Sequence, residues 1–317
     1  MKTCFAKPRA ILLTFTLVSA ATGFETHATA FQWPDSSRYN RVIVNAQDGI
    51  ESVPKEWLSR DALVTDFTVS DADKEKSQDT VQLYNATRNR LVSYGLAVGT
   101  YVSGTTVEPE TAERKWPWAV IPIEWMSADS VYVGSMPEEP FRKIIDVSSF
   151  STRQAFQSAI KKLWEQTPAP VRFIDNAAVH QSAGNGQPWA SYCRNMREIR
   201  EVGDTMGSVQ IFNVAAHIGE LSDQEAEQLI EAVGHGGILL EMPWHQNIRT
   251  DAAATQRARL RYRQLLDSGM AIILAEPGAE PSRDLVKWVK TWRKPSDHLY
   301  FAGAFWKEPD PTLFTLP

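Results

Sequence analysis

The sequence predicts an α/β chain folded as a single-domain (β/α)8 TIM barrel. Three observations predict it. Short apolar runs alternate with amphipathic stretches along most of the chain, and such alternation implies parallel strands with right-handed crossovers. Eight or nine of these units fit within 317 residues, a length that barrels of this kind use. No GxGxxG or Walker-type phosphate loop occurs, which counts against an open nucleotide-binding sheet.

The elements follow in order. "RVIVNA" (Arg41 to Ala46) and "ALVTDF" (Ala62 to Phe67) read as the first two strands. A polar helix from about Gln78 to Ser93 leads to "LAVGTYVSG" (Leu96 to Gly104). An irregular stretch rich in Trp and Pro runs from Glu108 to Pro140, and "RKIIDVS" (Arg142 to Ser148) follows it. Nine strand candidates exceed eight by one, and "RKIIDVS" is the one expected outside the barrel. Ser151-Thr152-Arg153-Gln154 resembles a capping box before a helix with Phe156, Ile160 and Leu163 on one face.

"VRFIDNA" (Val171 to Ala177) is the next strand, then a helix from about Trp189 to Glu201. "VQIFNVA" (Val209 to Ala215) precedes a helix opened by Ser222-x-x-Glu225 and closed near Gly234. "GILLEMPW" (Gly237 to Trp244), a helix over Thr255 to Asp267, and "MAIILAE" (Met270 to Glu276) come next. Ser282 caps a helix carrying Leu285, Val289 and Trp292, and "LYFAGAF" (Leu299 to Phe305) is the last strand. No repeat or low-complexity linker interrupts the chain, so residues 31–317 read as one domain.

Residues 1–30 read as a signal peptide. Lys2, Lys7 and Arg9 form a basic start, an apolar run extends from Ala10 to about Ala21, and Ala28-Thr29-Ala30 has the form of a cleavage site. The apolar run is short for a membrane span, so a secreted or periplasmic protein without stable membrane insertion is expected. The remaining chain carries 30 basic and 37 acidic residues. That balance excludes non-specific binding to nucleic acid and suits a neutral or cationic glycan. Cys193 is then the one cysteine left, so no intrachain disulfide can form, and it reads as a packing residue.

Barrel enzymes carry their chemistry at the C-terminal ends of strands. Those ends here hold Tyr101, Asp175 with Asn176, Asn213, Glu241 and Glu276. Asp175 and Glu241 interrupt apolar runs most abruptly. Either acid alone could cap a helix or pair with an Arg. On the fourth and sixth strands they would face each other across the barrel mouth as the two carboxyl groups glycoside hydrolysis requires. Tyr101, Asn176, Asn213 and Glu276 are candidate substrate contacts. Eleven Trp residues include Trp189 and Trp244, which closely follow the acid-bearing strands and could stack on sugar rings, with core packing as the alternative. His180, His217 and His245 raise a metal-dependent alternative, but no HxH or HExxH supports it. No metal and no cofactor is expected.

A strand ending in Asp-Asn, one ending in Asn, then "LLE" and a late strand ending in an acid together resemble a known group. It comprises secreted glycoside-hydrolase-like TIM barrels related to the endo-α-1,4-polygalactosaminidases. "GTYVSG" is similar to that group's Gly-x-Tyr-x-Ser strand, and "IIDVSSFSTRQAF" to its Asp-Val segment. The lead-in "APVRFIDN" lacks the glycines usual there. The resemblance implies a cleft for α-linked, often amino-sugar-containing polysaccharide or oligosaccharide. It also implies retention, with Asp175 as nucleophile and Glu241 as acid/base. A barrel that binds glycan during export or assembly without cleaving it is the alternative.

Overall fold

The computed structural model describes residues 31–33, 41–42, 63–64, 80–93, 97–109, 121–126, 132–135, 140–179, 187–241, 251–275 and 283–302. Eight strands form one parallel sheet. In chain order they are β1 (Arg41–Val42), β2 (Leu63–Val64), β3 (Ala97–Ser103), β8 (Val171–Val179), β9 (Val209–Ala215), β10 (Gly237–Glu241), β11 (Ala271–Ala275) and β12 (Leu299–Ala302). Every neighbouring pair is parallel, and the order β2-β3-β8-β9-β10-β11-β12-β1 is that of a (β/α)8 barrel. The seam lies between β1 and β2. Their Cα atoms approach within 8 Å, but no ladder joins them among the described residues.

The central strand β11 is apolar on both faces and β10 is so up to its final Glu241, as a covered parallel sheet requires. Alternate residues point to opposite sides. Ile174, Phe212, Leu240 and Leu274 pack outward against helix residues such as Leu163, Met196, Leu229 and Leu265. Phe173, Ile211, Leu239, Ile273 and Tyr300 fill the interior. The floor is plugged by Phe31 and Trp33. Trp33 stacks on Tyr300 at 5.8 Å, and only a glycine at position 237 leaves room for it, since a Cβ there would lie 2.8 Å from its Cη2.

Six helices are described: α1 (Thr80–Ser93), α2 (Phe150–Gln166), α3 (Trp189–Thr205), α4 (Asp223–Val233), α5 (Ala252–Asp267) and α6 (Arg283–Lys290). The capping box at α4 is present, with Ser222 and Glu225 bonding reciprocally. The cap of α2 differs from expectation. Ser149, not Ser151, accepts from the Thr152 N–H. The reason is a turn at Asp146, whose backbone carbonyl accepts from the Ser149 N–H and whose carboxylate accepts from the Ser148 N–H, so the helix starts two residues early. Ser282 lies outside the described residues.

"RKIIDVS" is outside the barrel, as expected. Its residues Lys143–Ile145 form β7 in a separate sheet with β4 (Thr106–Glu108), β5 (Ile121–Pro122) and β6 (Tyr132–Ser135), ordered β5-β4-β7-β6. Parts of the stretch read as irregular are therefore strands. This sheet grows out of the top of β3, because only Gly104 and Thr105 separate β3 from β4. Among the described residues no helix is long and apolar enough to cross a membrane.

Candidate active site

The fourth, fifth and sixth staves, β8, β9 and β10, carry Asp175, Asn213 and Glu241, the last of these at its strand's end. One amide ties the two acids together. Asn213 Nδ2 donates to Asp175 Oδ1 at 2.6 Å and to Glu241 Oε1 at 2.9 Å. Those two oxygens can be no farther apart than the two bond lengths laid end to end, about 5.5 Å. With straight bonds along the two diverging N–H directions the separation is about 4.8 Å. The acids thus meet over the intervening stave; they do not face each other across the whole mouth.

Asp175 accepts three further hydrogen bonds. The Tyr101 hydroxyl donates to Oδ2 at 2.6 Å, the Asn176 N–H to Oδ1 at 2.9 Å and the Asn176 amide to Oδ2 at 3.1 Å. Four donors around one carboxyl suit an ion that only accepts. Asn213 is 7% exposed and so holds its own place firmly.

Glu241 is set differently. Its residue reaches solvent at the strand end, and its carboxyl pKa is raised from the ordinary Glu value. Loss of hydration is the main cause, the charge of Asp175 adds to it, and the hydrogen bond from Asn213 opposes both. Two neighbouring acids in unlike environments can divide the roles of proton donor and charged partner.

The strand is shaped for this. Ile174 pairs with Phe212 and Ala178 with Val214, so Asp175, Asn176 and Ala177 together occupy the register that Asn213 alone fills. This is a β-bulge, a device that re-aims side chains beside sites. Asn176 takes up the distortion at φ 51°, a left-handed conformation that Asn tolerates better than most residues. The Gly104-Thr105 turn clamps the bulge. Gly104 N–H donates to the Asp175 carbonyl at 2.6 Å, and Thr105 Oγ1 to the Asn176 carbonyl at 2.8 Å. Buried Asn195 on α3 donates to the Gly104 carbonyl at 3.1 Å. A Cβ at position 104 would lie 2.6 Å from Cγ2 of Ile174 and 3.1 Å from the Asp175 carbonyl.

Of the residues expected at the site, the structure brings together Tyr101, Asp175, Asn176, Asn213 and Glu241. Trp189 is corrected. It is 8% exposed, packs in the core and donates its indole N–H to the Glu225 carbonyl, so its ring is not an open stacking face. A Trp at the first turn of an amphipathic helix faces inward when the next helix packs there. Trp244, Glu276, His180 and His245 lie outside the described residues. His217 precedes a short 3-10 helix at Ile218–Glu220. Among the described residues no group of three metal-ligating side chains comes together. Cys193 is buried, and that burial, helped by Glu225 and Glu231, pushes its thiol up to about 12, which leaves it unreactive. Gly104, Thr105 and Asn195 were not expected. A glycine directly after a strand-end Ser was the available signal for the first.

No protein-family model matches the chain, and no curated protein matches it. Solved structures similar to it are distant. Aspergillus fumigatus Ega3 in complex with galactosamine is 10% identical, with a TM-score of 0.47, over 88% of this chain and 96% of that one. An inactive mutant of the GH20 exo-β-N-acetylglucosaminidase from Vibrio harveyi is 11% identical, with a TM-score of 0.47, over 87% of this chain and 51% of that one. A Paenibacillus cycloisomaltooligosaccharide glucanotransferase is also 11% identical with a TM-score of 0.47, over 79% of this chain and 40% of that one.

Two predictions follow from the geometry. Gly104→Ala should lower the unfolding free energy by about 1–3 kcal/mol in urea titrations, because the close approach leaves no room for a methyl group. Gly134→Ala, where nothing lies within 4 Å, is the control. Equal stability of the two variants would refute the clamp. The second concerns pH. A carboxyl with a raised folded pKa binds its proton more tightly in the native state, so stability falls as pH rises from the ordinary Glu value through the folded one. Glu241→Gln removes that loss. It should match wild type below about pH 4 and melt higher than wild type at neutral pH. Parallel melting curves at both pH values would contradict the raised pKa.

Proposed function

We propose that the protein is a glycoside hydrolase that cleaves an α-linked bacterial polysaccharide, an amino-sugar polymer foremost, with retention at the anomeric carbon. The single observation that carries this reading is the pair of acids within reach of one amide nitrogen. Retaining enzymes hold their carboxyl groups about 5–5.5 Å apart, and inverting enzymes about 6.5–9.5 Å to admit a water. The upper bound of about 5.5 Å between Asp175 Oδ1 and Glu241 Oε1 lies on the retaining side. The sequence resemblance to the polygalactosaminidase-related barrels supports the same roles and the α-linked substrate.

The reaction runs in two displacements. Asp175 attacks the anomeric carbon while Glu241 gives its proton to the departing glycosidic oxygen. Glu241, now ionised, then takes a proton from water, whose oxygen attacks the anomeric carbon and releases Asp175. The raised pKa of Glu241 suits a group that must be protonated for the first step. Residues 1–30 act in this reading as a signal peptide, which places the protein in the periplasm or outside the cell.

A glycan-binding barrel without turnover is the second reading. One observation favours it. Each oxygen of Asp175 already accepts two hydrogen bonds, so attack requires a donor to swing aside.

Reducing-end release from a panel of α-linked amino-sugar and neutral polysaccharides separates the two. Wild type should cleave at least one polymer, with chelator present or absent. Asp175→Asn and Glu241→Gln should each lose about 10²–10⁴-fold in rate. Cleavage that survives both substitutions would sink the assignment, and binding without cleavage would favour the second reading.

A further inference from the structure

We propose that Asn213 is a positioning residue that serves both carboxyl groups in turn: its one amide nitrogen holds the pair at the separation that retention needs and stays bonded to whichever oxygen carries the pair's negative charge. This inference rests on the hydrolase reading for its second half and on geometry alone for its first.

The geometry is specific. Asn213 stands on the stave between the two acids, in register with Leu239 of β10, and is nearly buried. An Asn amide nitrogen carries two N–H groups, and each is committed to one carboxyl oxygen, at 2.6 and 2.9 Å. The residue type matters as much as its place. A Lys or Arg would hold both acids ionised and leave no proton for the leaving group. An Asp would add a third acid. A neutral amide can donate to either oxygen without fixing the charge of either.

The reaction needs that neutrality. The proposed reaction starts with one negative charge on the pair, on Asp175, and the proton on Glu241. When the Asp175 oxygen bonds to the anomeric carbon, its charge is consumed in an ester. The Glu241 proton leaves with the glycosidic oxygen, so the charge reappears on Glu241. Water then returns a proton to Glu241, hydroxide oxygen bonds to the anomeric carbon, and the Asp175 ester breaks to restore its carboxylate. One charge is present throughout, and it moves between two oxygens that the same nitrogen already touches. Among the described residues Asp175 is the one charge acting on Glu241, with Tyr101 bonded behind it and Ala275 of β11 opposite Glu241 in register.

The test is a titration that needs no substrate. Side-chain carboxyl carbons of wild type, Asn213→Ala and Asn213→Ser are followed by NMR across pH, with melting temperature as the folding check. The Glu241 midpoint should rise by about one pH unit in Asn213→Ala, because a donor to the ionised form is gone. In Asn213→Ser it should rise less, since one hydroxyl can serve only one acid at a time. The high-pH limb of kcat/KM for a cleaved polymer should move up with it. An unchanged midpoint in either folded variant would overturn the bridge. A wild type that cleaves nothing on the panel would overturn the charge-following role, and the titration then tells that failure apart from failure of the bridge.

Discussion

Two carboxyl groups that share one amide nitrogen repel each other whenever both are ionised. The top of the barrel is arranged around that repulsion. Asp175 gathers four donors, which stabilise its charge. Glu241 has only Asn213 among these donors, and it meets desolvation and the Asp175 charge together. The asymmetry comes from neighbours, not from the acids themselves. Asp175 follows a tyrosine-bearing strand and precedes an asparagine. Glu241 ends a strand that pairs with the all-apolar run of β11.

The supporting structure explains how an acid can stand within a buried strand. A regular β8 would send residue 176 to the opposite face. The bulge removes that constraint, so both the backbone N–H and the side chain of Asn176 turn back to Asp175. Such distortion has to be held from outside, and the Gly104-Thr105 turn does so with two hydrogen bonds. The same turn launches β4 and the small four-stranded sheet. The insertion between the third and fourth staves is therefore tied structurally to the site. Asn195 links the turn to α3 behind the sheet.

Much of this was legible in the sequence. Buried parallel strands are nearly continuous apolar runs, and a polar residue ending one stands out. That contrast exposed Asp175, Asn213 and Glu241 and located Tyr101 and Asn176. The small sheet was harder to see, because β4, β5 and β7 are only two or three residues long and carry no periodicity. Trp189 was misread because an aromatic residue near a strand-end acid has the same sequence signature whether it faces a cleft or a neighbouring helix. The cap of α2 moved from Ser151 to Ser149 because three serines compete, and the turn at Asp146 decides among them. The clamp by Gly104 depends on contacts between residues some seventy positions apart, which no local pattern encodes.

The separation of the two acids makes one claim about chemistry that does not depend on which sugar is bound. Under the proposed double displacement it predicts retention of configuration at the anomeric carbon. The direct measurement is proton NMR of the first product formed from a cleaved α-linked polymer, read before the new reducing end equilibrates. With retention, the α anomer appears first and the β anomer grows in later. A β anomer appearing first would mean that water attacks directly from the opposite face, and the assignment of Asp175 as nucleophile would be wrong.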